Sequence, residues 1–160
     1  MQKEFVILLI LWMIGIIGFF ALIVRKDVRR GILAFLLFQA VIWFFDMFVF
    51  KYGLLYAPVR EFPEAHEFPL TIVYFFHPLL FSIFYVYKRL NFNFIYFSIW
   101  ISSITLFDVV IEHYTDLLEF RSMTWYGLWV YFGFLYYASN ICCDWFYKDK
   151  SVFQVEKWGT

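Results

Sequence analysis

Two carboxylates interrupt runs that are otherwise apolar. Asp46 falls in ILAFLLFQAVIWFFDMFVF and Asp108 in FIYFSIWISSITLFDVVIEHY. An acid in a hydrocarbon-facing run is costly, so such a residue faces a protein interior or a water-filled cavity and pairs with another polar group. His77 stands in a third apolar run, and Glu112 follows Asp108 by one helical turn. Together Asp46, His77, Asp108 and Glu112 form a candidate polar intramembrane site. Carboxyl and imidazole groups there could move a proton, hold a cation or bind one helix to another. No nucleophile–base pair, phosphate-binding glycine loop or metal motif accompanies them, so the residues name no reaction and no catalytic residue.

Five other features bear on the chemistry. Asp108, Glu112 and Asp116 recur at i, i+4 and i+8, with Glu119 three further on, which would align them on one face of a continued helix. Such a row invites relief by cations, water or protonation. The alternative is that Asp108 bonds a neighbouring helix while the outer acids are hydrated. His77 precedes Pro78, whose missing amide would free the carbonyl of Tyr74 and kink the helix, leaving that oxygen in need of a donor. Gln39, Ser102, Ser103, Thr105 and Asn140 are expected to bond between helices. The segment KYGLLYAPVREFPEAHEFP carries Glu61, Glu64, His66 and Glu67, but the pattern is not HExxH and three prolines discourage a helix. A solvated loop is favoured over a metal site, with Tyr56, Phe62 and Phe68 laying it on the membrane as a lid. No metal is expected and no cofactor is named. Cys142 and Cys143 form no CxxC or disulfide framework and are expected to be small buried hydrophobes, with acylation or redox use as the alternative.

The elements that must position these groups follow from composition. Hydrophobic residues make up 64% of the 160-residue chain and charged residues 16%, against about 25% charged in ordinary soluble domains. Mean hydropathy is +0.72. One small globule cannot hide such an excess, so membrane burial is the simplest account. The formal net charge of zero lacks the basic footprint of a nucleic-acid-binding protein. About 20 apolar residues cross a bilayer core, and five segments qualify: 5–24, 31–50, 69–87, 92–112 and 124–146. The expectation is an all-α, five-helix transmembrane bundle forming a single integral membrane domain, 1–160. The first run lacks a signal-peptide cleavage site and is followed by RKDVRR, so it reads as a retained helix. No internal repeat of the transporter type stands out.

Orientation follows from Lys and Arg. Nine of them (Arg25, Lys26, Arg29, Arg30, Lys88, Arg89, Lys148, Lys150 and Lys157) fall on one side of a five-span chain. Only Lys3, Lys51, Arg60 and Arg121 fall on the other, which predicts the N-terminus outside and the C-terminus in the cytoplasm. With a rise of about 1.5 Å per residue, Asp46 and Asp108 then lie roughly 6 Å below the outer surface and His77 about 12 Å below it. Most of the 24 Phe and 12 Tyr are expected at the lipid surface or interface, and Trp12 and Trp43 to serve packing.

The order of these features carries a resemblance. A Trp/Phe-rich second span ends in Asp46, and KYGLLYAP and FPLTIVYFFHPLLFSIFY follow. A fourth span then ends in Asp108 and Glu112, before a Trp/Tyr-rich last span. This resembles an uncharacterised family of small multi-pass membrane proteins of endospore-forming Gram-positive bacteria. The resemblance implies a bacterial plasma-membrane protein and assigns no activity. A weaker likeness is to the lycopene-cyclase-type membrane domain, through EFPEAHEFPLTIVYFFHPLL. The chain departs from that pattern because Ala65 and His66 separate Glu64 from Glu67, which puts paired-acid carbocation chemistry in doubt.

Three functions remain in view. The first is a non-enzymatic accessory or ligand-binding subunit with a polar outward-facing pocket. The second is a membrane-embedded enzyme acting on an isoprenoid or other lipid, with Asp46, Asp108 or Glu112 as acid or base in one apolar pocket. The third is a cation or proton carrier, for which an oligomer would have to enclose the path. Membrane lipids are the expected partners, with a protein partner or a homo-oligomer as further candidates and no nucleic acid.

Overall fold

The computed structural model describes residues 2–59, 71–88 and 94–156. It is mostly helical, and three of its helical stretches, Lys3–Ala21, Asp27–Lys51 and Phe94–Tyr114, are long and apolar enough to cross a membrane. A fourth apolar stretch, Thr71–Tyr87, is shorter.

Helix α1 (Gln2–Gly18) widens into a π-helical segment, Phe19–Val24, and runs into α2 (Arg25–Lys51). The helical path breaks at Asp27, whose φ of −160° and ψ of 88° are extended. Its Oδ1 accepts the amide of Arg30 at 3.1 Å, so Asp27 is the N-cap of the straight part of α2. Oδ2 also meets Nε of Arg30 at 3.2 Å. The basic stretch expected to close the first span is therefore a capped corner.

At the far end of α2, Gly53 takes a φ of +65° that a residue with a Cβ rarely adopts, and the chain turns there. Leu55–Tyr56 (β1) then pairs antiparallel with Glu119–Phe120 (β2), with Leu55 opposite Phe120 and Tyr56 opposite Glu119. The carbonyl of Leu54 accepts the amides of Arg121, Ser122 and Met123, and the guanidinium of Arg121 lies 4.1 Å from the Tyr56 ring centre. These contacts make a cap across one end of the bundle, a small β element in a chain expected to be all-α. The rest of the expected lid, with Glu61, Glu64, His66 and Glu67, lies outside the described residues.

A second π-helical segment, Thr71–Phe76, leads into α3 (His77–Tyr87). Pro78 sits in the first turn of α3, where a missing amide costs little. The expected mid-helix kink is thus a change of helix type. The carbonyl of Tyr74 accepts Nε2 of Gln39 from α2 at 3.0 Å, which supplies the donor that oxygen was expected to need.

Helix α4 spans Phe94–Tyr114 and α5 spans Trp125–Glu156. Helix α2 is central, packing on α3 and α5, while α4 lies against α5. Helix α1 docks mainly on the 71–76 segment, where Trp12 stacks on Phe75 at 4.1 Å and donates Nε1 to Thr71 Oγ1 at 2.9 Å. A Cβ on Gly15 would stand 2.3 Å from the Phe75 ring, so this approach needs glycine.

The core is aromatic. Tyr136 is fully buried among Phe38, Phe81 and Phe84, with ring centres 5.0, 5.1 and 5.7 Å away. Many Phe residues expected at the lipid surface therefore build the interior instead. The outward faces are apolar as well: Ile17, Phe20, Phe94, Ile95, Leu106 and Val130 are each at least 61% exposed. A molecule apolar inside and out suits hydrocarbon surroundings better than water.

Candidate functional site

The site lies just beneath the cap. Helix α2 brings Asp46 toward α5, where the hydroxyl of Tyr131 donates to Asp46 Oδ1 in a short hydrogen bond. The first residue of α3 is His77, whose Nε2 meets Asp108 Oδ1 of α4 at 3.2 Å. All three groups are buried, at 3% exposed for Asp46, 4% for His77 and 1% for Asp108. In the neutral tautomer with its proton on Nε2, the imidazole donates to Asp108 and leaves Nδ1 as an acceptor.

Asp46 and His77 line one cavity of about 20 Å³. Tyr131 adds its hydroxyl, and the remaining walls are apolar: Phe50 and Ile42 of α2, Ile72 and Val73 of the π segment, Leu128 and Phe132 of α5, and Leu55 and Leu118 of the cap. The Phe132 ring stands edge-on to His77 at 4.9 Å and fixes the imidazole plane. A space of that size holds about one water and no larger ligand. Nδ1 of His77 is buried with no hydrogen-bond partner among the described residues.

Three of the four candidate residues are thus assembled, and Glu112 is not. It is half-buried on α4 and makes no hydrogen bond or ion pair among the described residues. The expected acidic row also breaks, because α4 ends at Tyr114. Thr115 turns its hydroxyl back to the carbonyl of Ile111 and accepts the amide of Leu117, ending the helix. Asp116 then lies in the turn and Glu119 in β2. No group of three His, Cys, Asp or Glu residues is placed to hold a metal among the described residues.

The lesser polar residues divide. Ser102 accepts Nε1 of Trp129 at 3.0 Å and so joins α4 to α5. Ser103 and Thr105 were expected to do the same but bond the carbonyls of Ile99 and Ile101 in their own helix, four residues back. That intrahelical bond satisfies a hydroxyl without any partner helix. Asn140 does bridge helices, at the opposite end of the bundle. There its Oδ1 accepts Lys88 Nζ at 2.5 Å, and the same ammonium meets both oxygens of Asp144 at 2.7 and 2.8 Å. Tyr85 completes this cluster by donating to Asp144 Oδ1 at 3.0 Å. Cys143 is buried as expected, whereas Cys142 on the next face of α5 is exposed.

Sequence reasoning passed over Tyr131, Lys88, Tyr85 and Asp144 as functional or fastening groups. For Asp144 a signal existed, since it is a third acid inside an apolar run. For Tyr131 none did, because a tyrosine near a span end is ordinary interface chemistry.

Two wider hollows lie elsewhere. One of about 560 Å³ runs between α4 and α5, along Ser102, Leu106, Trp125, Trp129 and Val130. The other, about 230 Å³, lies between α3 and α4 beside Phe76, Trp100 and Phe107. Neither is lined by an ionisable acid or base other than the Tyr126 phenol in the first. Comparison with protein-family models, curated proteins and solved structures finds no match for the chain.

Proposed function

We propose that this is a five-span protein of a bacterial plasma membrane, with its N-terminus outside and its C-terminus in the cytoplasm. It acts as a non-enzymatic accessory or ligand-binding subunit, and Asp46, His77 and Asp108 form its polar heart in the outer half of the bilayer. The observation that carries this reading is the size of the space beside Asp46 and His77. A cavity of about 20 Å³ lined mostly by apolar side chains has room for a water but none for an isoprenoid or acyl substrate. Acid–base catalysis requires the reacting atom within hydrogen-bond reach of the acid, and the two larger hollows among the described residues lie along other side chains. The resemblance to small multi-pass membrane proteins of endospore formers points the same way, toward a membrane component with no assigned catalysis.

A proton-handling role is the second reading, favoured by the unpartnered Nδ1 of His77 in the same cavity as Asp46. The test of the first is to make Asp46→Ala and Asp108→Ala and measure monodisperse yield in detergent. Both are expected to lower yield, because each strands a buried partner. Full yield together with loss of a cellular phenotype would point instead to a dedicated chemical role.

A further inference from the structure

We infer that the cavity beneath the cap binds one water that joins Asp46 to Nδ1 of His77, completing a relay Tyr131–Asp46–water–His77–Asp108 along which one proton can pass. This rests on the reading of a closed polar heart and names its ligand.

Three observations meet here. The space of about 20 Å³ matches a single water. Nδ1 of His77, on a residue 96% buried by its 4% exposure, lacks a partner while Nε2 is engaged by Asp108. Asp46 lines the same space, and its Oδ1 is already held by Tyr131. A buried acceptor without a donor costs about 1–3 kcal/mol, and a water offers one O–H to Nδ1 and the other to the Asp46 carboxylate. Apart from the Tyr131 hydroxyl, which is already held by Asp46, the remaining walls are apolar, so the water is oriented by Asp46 and Nδ1.

The transfer balances without any further reactant. When the Asp46 carboxyl carries the proton, its O–H bond breaks as the water accepts that proton, and a water O–H breaks as Nδ1 takes its hydrogen. Asp46 is left as carboxylate, the water is unchanged and His77 becomes imidazolium facing the Asp108 carboxylate. The titratable groups facing the chain are Asp46 on α2, Tyr74 on the π segment, Asp108 on α4, and Tyr131 and Tyr136 on α5. Among the described residues no Lys or Arg lines the cavity to hold the proton away.

The test is nitrogen NMR of the full chain in lipid nanodiscs with 15N-labelled imidazoles, His66 and His113 being replaced by Gln so that only His77 reports. The expected spectrum shows Nε2 protonated, Nδ1 bare and a cross-peak from Nδ1 to a bound water. Val73→Ile adds one methyl to the cavity wall and is expected to abolish the water cross-peak while leaving the Nε2–H signal and helix content unchanged. Infrared difference spectra on acidification should show a carboxyl band that is lost in Asp46→Asn and shifted in His77→Gln. A folded protein whose neutral His77 carries its single proton on Nδ1, or one with no water cross-peak, overturns the relay and leaves the closed polar heart standing. A carboxyl band indifferent to His77→Gln also overturns it. Slow turnover of a lipid at this site would overturn the non-enzymatic reading instead.

Discussion

The bundle carries a polar cluster at each end, and the two are built on opposite terms. At the base, Lys88 grips Asp144 and Asn140 from α5, with side-chain exposures of 21% for Lys88 and 53% for Asp144. Charges there are balanced, hydrated and fully partnered. Under the cap, two carboxyl groups and an imidazole lie almost wholly out of solvent, and among the described residues no Lys or Arg lines the cavity and one ring nitrogen has no partner. The first arrangement is a clasp that solvent weakens and that the bundle could lose. The second exists only because five elements surround it, and a buried group stripped of its partner has no water to fall back on.

Substitutions can break this contrast, beginning with the largest effect. Asp108→Ala leaves Nε2 of buried His77 without its acceptor and should destabilise the protein by about 3 kcal/mol, read as a lowered midpoint in detergent unfolding. If the site were hydrated like the base, the loss would be under about 1 kcal/mol. Gln39→Leu removes the donor to the Tyr74 carbonyl and should cost about 1 kcal/mol, less than the acid because only one neutral bond is lost. Asp144→Ala should cost less than about 1 kcal/mol, and raising salt should shrink the cost further. Equal losses for Asp108→Ala and Asp144→Ala would erase the distinction between the two ends.

How much of this was legible in the sequence depended on whether a residue's need was local. Pro78 lacks an amide whatever surrounds it, so the demand of the Tyr74 carbonyl for a donor could be foreseen, and Gln39 answers it. The costs of Asp46 and Asp108 in apolar runs are local in the same sense. Their partners were not legible, because Tyr131 is 85 residues from Asp46 and His77 is 31 from Asp108. Shared depth brought His77 and Asp108 into one layer, but the rotation of each helix decides which groups touch, and periodicity is weak where every face is apolar. Glu112 shows the limit: one turn from Asp108, it still misses the cavity. The acidic row failed for another local reason, since Thr115 bonds back to Ile111 and ends α4 before Asp116. The two-residue strands of the cap are too short to leave any alternating pattern.

The central claim is that Asp46 and Asp108, which do not touch each other, belong to one enclosed network. A double-mutant cycle tests it most directly, with unfolding free energies measured in lipid for Asp46→Asn, Asp108→Asn and the pair. Linkage through His77 and the enclosed cavity predicts a coupling energy of at least about 0.5 kcal/mol. Strict additivity, within about 0.3 kcal/mol, would show two independent buried acids and contradict the account.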